Sequence, residues 1–552
     1  MYSLPLSYVA TESARITQPP LDIFIGAGLH RLGLADHDGW VRVPAALFGA
    51  AGVFLLGWWI RRIAGAAAGV AAALLLAVCP LHLAMSQEVR PYTLLFFLSL
   101  LTAALFARAH RRNTFPSWSL FSVVLLALLL TRWVEPHFIT LGLVAYAVGA
   151  WFAAWRRAKP ERRPGETIKL WAAGTAVLAA YAVYNPVFGI LFDRNRRAIT
   201  SHASEGIERF SHLLSTSYTA MFSGYSWRTL YSALPASAWI LALAGVLAVL
   251  GLTLLIRSAL QRRDPLIVLF VVAFVPFPFI YGAVFARLAN APSKPQYLLL
   301  MAAPLFGCIA IAVDALRKWT ARRSLTLSRI VLATLLAFLV LPMAQASLHG
   351  LQAQDKRDWR GALTFLRDHA DPDDVFAAVT PDCVPTRFYS TVGGVGRYFS
   401  PHTKFLRIEL RTDDAVLSTP PWQRIGTTVW VLCYRDPMYT GVDLLSAPTD
   451  FPSHITVHGF NGLFLLEVRG RSPAADRLME GLTLLYRDLP DGRSLVAPAY
   501  LQARFLLAKG DLAGARAAFE TARRQCRNQA EVRLLGNTDH PFTKLRERNR
   551  SL

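Results

Sequence analysis

Cysteine is scarce in this chain, five in 552 residues, and five thiols cannot build a disulfide framework. Cys79 and Cys308 fall in apolar runs, where a thiol packs as a small hydrophobe. Cys383 and Cys433 share the polar C-terminal region and can pair where the compartment is oxidising and their Cα separation permits it. Metal-ligand spacings are missing: there is no H-E-x-x-H, no C-x-x-C and no comparable cluster. Duplicated hydropathy halves, a mark of many transporters, are missing too. Charge is sparse, with Asp, Glu, Lys and Arg at 17% against 54% hydrophobic residues. That balance excludes an ordinary soluble protein of this length.

What is present instead is a series of apolar windows, most of them roughly 18–23 residues long, the length a helix needs to cross a hydrocarbon core. Spans are predicted near 42–60, 64–83, 91–107, 118–131, 138–154, 168–190, 236–256, 265–286, 297–316 and 328–347. The fold class expected is mainly α, a polytopic transmembrane helix bundle of about ten spans. A C-terminal extracytoplasmic α/β domain and a helical hairpin tail follow it.

Acidic residues are the minority sign, 36 against 58 Lys and Arg, for a net charge of +22. The excess falls in every second connection: Arg61 and Arg62, then Arg108, Arg111 and Arg112, then residues 156–163, then Arg257, Arg262 and Arg263, then Arg317, Lys318, Arg322 and Arg323. By the positive-inside rule these turns are cytoplasmic. No nucleic-acid partner is expected, since the excess is spent on short interhelical loops. Residues 1–41, 84–91, 191–235 and 287–296 then lie outside, as does everything after the last span. The N-terminal stretch MYSLPLSYVATESARITQPP has neither a basic n-region nor an apolar h-region. Either a preceding segment carries it across or it crosses unaided.

The external segments hold polar groups that hydrocarbon rejects. Glu88 and Arg90 stand in SQEVRPY between two spans. They read either as an interfacial ion pair with a snorkelling Arg or as a site at the membrane surface. Arg132 and Glu135 in TRWVEPHF are expected to pair with each other, with His137 an interfacial histidine. Arg194, Arg196 and Arg197 open the 191–235 segment, as a headgroup-facing basic turn or as phosphate ligands.

Three segments in order, QPPLDIF, WVRVPAALFG and SQEVRPY, resemble the GT-C superfamily of integral membrane glycosyltransferases. Bacterial relatives of the protein O-mannosyltransferases and the lipid A aminoarabinose transferase are the nearest likeness. The resemblance covers the transmembrane region, residues 1–348, and SQEVRPY is its most specific element. It implies a polyprenyl-phosphate-linked sugar donor, a lipid, glycan or protein acceptor, inversion at the anomeric carbon and an inner-membrane location. A divalent cation assists in some members, and nothing here makes a cofactor certain. It also implies an acidic pair in the first external loop, and this chain begins just past the matching position. A start placed too far downstream, a fragment or a degenerate copy each fit that departure.

The resemblance implies an active-site structural or acceptor-side role for Glu88, and if the base lies within this sequence, Glu88 and Asp22 are the candidate catalytic residues. Gln18, Arg90, Tyr92, Arg194, Arg196, Lys294, Gln296 and Tyr297 are candidate substrate-binding residues. Gln18 stands where the family has His, and Asp22 where it has an apolar or aromatic residue. In LANAPSKPQYLLLMAAP, Gln296 replaces a common Arg, and Lys294 is the nearest cation. The chemistry needs a base for the acceptor proton and cations for the leaving phosphate, for which Arg offers bidentate contact and Lys a point contact. A non-catalytic relative and a transporter or flippase of lipid-linked saccharide remain alternatives.

Beyond the spans, RDWRGALTFLRDHADPDDVFAAV reads as an amphipathic helix, an acidic turn and a strand, while TTVWVLCY and NGLFLLEV read as further strands. An α/β domain is predicted over 349–470. Asp371, Asp373 and Asp374 are turn chemistry, and Gly393, Gly394 and Gly396 lack the spacing of a dinucleotide loop. The tail, 471–552, holds one tetratricopeptide-like hairpin over 494–527, which must dock on another surface to bury its face.

Overall fold

The computed structural model describes residues 21–34, 38–132, 134–157, 206–224, 237–262, 264–286, 295–352 and 359–369, five strand segments between 375 and 469, and a few helical positions at 174–177 and 513–520. Its contacts divide the chain into a unit made mainly of residues 2–353 and a second made mainly of 354–552.

The first unit is helical. In chain order it comprises α1 (Leu21–Arg31), α2 (Asp38–Ala64), α3 (Ala66–Ala77), α4 (Pro80–Ser86), α5 (Tyr92–Arg112), α6 (Phe115–Leu129), α7 (Glu135–Arg157), α8 (Gly206–Ser223), α9 (Ala238–Arg262), α10 (Pro265–Phe274) and α11 (Phe277–Ala286). A 3₁₀ turn (Pro295–Met301), α12 (Ala302–Ala321) and α13 (Leu325–Gln352) complete it. Five described helices are long and apolar enough to cross a membrane: α2, α5, α9, α12 with the turn before it, and α13. The pair α3 and α4 makes a sixth if taken together. The chain is a multi-pass membrane protein. The span expected at 168–190 lies outside the described residues except for isolated helical positions.

The span expected as one helix over 64–83 is corrected to two, bent by 64° at Val78 and Cys79. Pro80 is the cause. It has no N–H to continue the ladder, and the residue before a proline is pushed to extended geometry, as Cys79 is at φ −63°, ψ 117°. The twelve residues of α3 rise about 18 Å, well short of a hydrocarbon core of roughly 30 Å. The break leaves the Val78 carbonyl free of the helix ladder, and the Ser347 hydroxyl of α13 donates to it at 2.8 Å. A bare carbonyl at that depth would cost several kcal/mol, in the range of about 2–7 for an unbonded polar group. The expected span 265–286 is likewise two helices, α10 and α11, with Pro276 and Pro278 at the junction. The segment 191–235, expected as a loop, contains the eighteen-residue helix α8.

Hydrogen bonds show how the helices align. The Thr93 hydroxyl donates to the Ala45 carbonyl at 3.0 Å, so α2 and α5 run side by side in the same direction. They therefore deliver Arg61 and Arg62 and Arg108 to Arg112 to one end. Lys318 Nζ donates to the Ala64 carbonyl at 3.0 Å, which brings the α12–α13 turn to that end as well. Asp314, only 3% exposed, holds Arg317 Nε at 2.9 Å and Lys318 Nζ at 2.6 Å. The clusters at 61–62, 108–112 and 317–323 thus collect at a single basic end.

The interior is tightly fitted where α9 crosses α12. A Cβ on Gly251 would overlap the backbone carbonyl of Cys308. Only glycine admits that approach, and backbone on the facing helix cannot rotate away as a side chain can.

The second unit begins with α14 (Trp359–His369), followed by β1 (Val375–Val379), β2 (Lys404–Phe405), β3 (Thr428–Tyr434), β4 (Ile455–Phe460) and β5 (Leu463–Arg469). The sheet order is β2-β1-β3-β5-β4, with β1 parallel to β2 and β3 and the remaining pairs antiparallel. The strands β3 and β5 fall on TTVWVLCY and NGLFLLEV. Ala362 and Leu366, one helical turn apart, are buried on α14, and Trp430, Leu465 and Glu467 are buried on the strands. Phe365 of α14 lies 4.4 Å from His458, whose Nε2 is 3.0 Å from Glu467 Oε2. Cys383, the Cys433 side chain and almost all of 494–527 lie outside the described residues.

Replacing Gly251 by Val should lower the thermal midpoint of the purified chain in detergent, with overpacking costing about 1–3 kcal/mol. Gly149→Ala, inside α7 at a site with nothing within 4 Å, should hold or slightly raise the midpoint in the same thermal scan, since alanine favours a helix interior by about 0.5–1 kcal/mol over glycine.

Candidate functional site

At the end opposite the basic turns, four polar stretches meet. The first is the turn between α4 and α5. Backbone N–H groups of Gln87 and Glu88 donate to Ala84 and Met85 at 3.2 and 3.3 Å, and that of Arg90 donates to the Glu88 carbonyl at 2.8 Å. Pro91 then starts α5 at φ −74°, pre-set for a helix N-terminus. The result is a short, fixed turn with Glu88 half-buried, Arg90 exposed and Tyr92 buried.

The second stretch is the turn between α6 and α7. Arg132 Nε lies 2.8 Å from Glu135 Oε1, and Glu135 is 1% exposed. The guanidinium also sits over the Tyr92 ring at 4.8 Å, so one cation ties the two turns together. Burial opposes the charge on Arg132, but Glu135 and the nearby Tyr92 and Tyr281 more than offset it, holding the guanidinium above its ordinary value. Tyr281 of α11 meets Phe138 of α7 edge-on at 5.7 Å and stacks on Phe277 at 5.3 Å. These rings wall the ion pair off from one side, where the low dielectric strengthens it.

The third contribution is the start of α1. The Leu21 N–H donates to the Leu130 carbonyl at 3.2 Å, which sets half-buried Asp22 beside the 130–134 turn. An acidic side chain in a first helical turn is favoured by the helix dipole. The fourth is the 3₁₀ turn, which packs against α4, α5, α8 and α11. Gln296 there is 5% exposed, and its Oε1 has no hydrogen-bond partner among the described residues.

Two sequence motifs touch directly. A Cβ on Gly49, in WVRVPAALFG, would collide with the Ser86 hydroxyl at the start of SQEVRPY. The glycine lets α2 approach α4 closely enough to seat that turn. Ser86 Oγ in turn donates to the His82 carbonyl at 2.8 Å, and the buried His82 ring packs edge-on to Phe96 at 5.9 Å.

Of the sequence-predicted site residues, Asp22, Glu88, Arg90, Tyr92 and Gln296 fall on these four stretches. Tyr297 is in the same 3₁₀ turn with its side chain outside the described set. Gln18, Arg194, Arg196 and Lys294 also lie outside it. Arg132 and Glu135 pair as expected, but the link from Arg132 to Tyr92 was not foreseen. A signal for it existed: TRWVEP, like SQEVRP, places a charged pair just before a proline that opens a helix. Among the described residues no group of three His, Cys, Asp or Glu side chains is placed to hold a metal ion.

Residues 17–184 match the family model of dolichyl-phosphate-mannose-protein mannosyltransferases, a range that contains three of the four stretches. Comparison with curated protein sequences gives no match. Among solved structures, ArnT from Cupriavidus metallidurans in the apo state is similar at 15% identity and a TM-score of 0.45, over 82% of this chain and 87% of that one. The Archaeoglobus fulgidus oligosaccharyltransferase in the apo form is similar at 12% identity and a TM-score of 0.44, over 77% of this chain and 62% of that one.

Arg132→Ala should strip a buried carboxylate of its cation and destabilise the helical unit by roughly 3–5 kcal/mol. Arg132→Met combined with Glu135→Leu should cost distinctly less. Thermal scans of the three purified chains make the comparison.

Proposed function

We propose that this chain, whose residues 17–184 match the dolichyl-phosphate-mannose-protein mannosyltransferase family model, is a membrane glycosyltransferase that moves a sugar from a polyprenyl-phosphate-linked donor to an acceptor at the extracytoplasmic face. The observation that carries the reading is the link between the SQEVRPY and TRWVEPHF turns through Arg132, Tyr92 and Glu135. It supports the reading by joining a cation, a carboxylate and a tyrosine from two polar turns of an otherwise apolar bundle.

In this reading an acceptor hydroxyl attacks the anomeric carbon of the donor. The bond from that carbon to the phosphate oxygen breaks, and polyprenyl phosphate leaves with the electron pair. The acceptor proton passes to a carboxylate, Glu88 or Asp22, while Glu135 stays committed to Arg132. Charge growing on the leaving phosphate is met by Arg132 and Arg90, with Gln296 donating through its amide. Arg194, Arg196, Lys294, Gln18 and Tyr297 are the further donor-binding candidates. The bacterial inner membrane is the setting that the lipid-linked donor implies.

Transport of a lipid-linked saccharide is the second reading, and the Pro80 break between α3 and α4 favours it, since broken helices line many transport paths. One assay separates the two. Membranes carrying the full chain are given radiolabelled polyprenyl-phosphate sugars, and both transferred label and label carried across the membrane are counted. Transfer that falls about 100-fold or more in Glu88→Gln, in line with loss of a catalytic base, supports the enzyme. Donor that crosses the membrane without transfer supports the transporter.

A further inference from the structure

At the basic end, the α2–α3 turn and the α12–α13 turn are joined by the Lys318 to Ala64 hydrogen bond. Residues 61–65 and 314–324 together hold six cations, Arg61, Arg62, Arg317, Lys318, Arg322 and Arg323, and one carboxylate, Asp314. Asp314 is already engaged by Arg317 and Lys318 and is buried. Arg61, Arg62, Arg322 and Arg323 are exposed, and neither turn has an acidic residue to answer them. Like charges on two turns joined in this way repel, and an external anion would relieve that repulsion.

Two features say which kind of anion. The guanidinium of Arg62 lies over the Trp58 ring at 5.6 Å, and that of Arg323 over Trp319 at 4.8 Å. Indoles prefer the headgroup level of a bilayer, and stacking on them fixes the cations there. The charged turn also runs straight into an apolar flank of α13, where Leu325 is 72% exposed and Ile330 55% exposed. A phosphate at the arginines would therefore have an apolar surface beside it for acyl chains. The neighbouring junction of Arg108, Arg111 and Arg112 with the α9–α10 turn differs, because Asp264 supplies a carboxylate there; the Tyr146 hydroxyl feels both Asp264 and Arg111.

We propose that the junction of the α2–α3 and α12–α13 turns is a binding site for the phosphate headgroup of an anionic phospholipid. The site is separate from the glycosyl-transfer reading and does not depend on it. Arg322 and Arg323 hold the phosphate from one turn and Arg61 and Arg62 from the other, with the acyl chains along α13.

The test uses the purified full chain in neutral detergent, titrated with phosphatidylglycerol, phosphatidylcholine or inorganic phosphate, with the thermal midpoint as readout. Phosphatidylglycerol should raise the midpoint saturably, and phosphatidylcholine should not. Arg322→Gln with Arg323→Gln should weaken half-saturation by about tenfold or more, as expected for loss of two basic side chains at an anionic headgroup. Arg61→Gln with Arg62→Gln should do the same, so the result does not hang on one variant's folding. Arg108→Gln with Arg111→Gln should retain the wild-type response. The proposal is overturned if phosphatidylglycerol leaves the wild-type midpoint unmoved, or if the Arg108 and Arg111 variant loses the response equally. It is also overturned if inorganic phosphate at matched concentration reproduces the shift.

Discussion

A hydrocarbon layer accepts neither a bare charge nor a bare backbone carbonyl, and the helical unit is arranged around that refusal. The exposed Arg61, Arg62, Arg322 and Arg323 sit at one end and the buried ion pair of Arg132 and Glu135 at the other. Where the backbone must break in between, at Val78, a serine from a distant helix fills the vacancy. The pairing of Val78 with Ser347 spans 269 residues of sequence, so the bend that Pro80 starts is held by a contact made far along the chain. The bend decides where α4 points, and α4 carries Ser86 into contact with Gly49. The position of the SQEVRPY turn is therefore a consequence of packing made far from it.

The same constraint explains why part of this was legible in advance. Charge that must sit at helix ends shows as clusters between apolar windows, so the common end of Arg61, Arg62, Arg317 and Lys318 could be read from alternation alone. SQEVRPY stood out for the same reason, and it occupies the turn expected of it. The break inside 64–83 was not read, although Pro80 was in plain view. A hydropathy window averages over one proline, and proline is itself apolar enough to raise no signal. Only the missing N–H distinguishes it, and that is a matter of hydrogen bonding, which composition does not register.

Arg132 shows a different gap. As a charge three residues before Glu135 it reads as a local pair, and the pair is real. Its second contact, over Tyr92 on another helix, depends on the parallel course of α2 and α5 and on the turn that reverses the chain after α6. No spacing within TRWVEPHF encodes that. Asp22 is similar: its closeness to the same turn rests on a backbone hydrogen bond from Leu21 to Leu130, a contact to which side-chain identity contributes nothing. The C-terminal strands β3 and β5 were easier, because a run of β-branched and aromatic residues bounded by turns signals itself locally.

These differences bear on which residues can act. A carboxylate that is 1% exposed and already paired, as Glu135 is, has little capacity left to take a proton from a hydroxyl, because losing its charge would leave Arg132 uncompensated in a buried place. Glu88 and Asp22 are half-buried, more open than Glu135. A base must be reachable by its acceptor and yet shielded enough to hold a proton briefly, and a half-buried position meets both demands. In the proposed reading Glu135 keeps Arg132 in place, and Glu88 and Asp22 are the candidates for proton transfer.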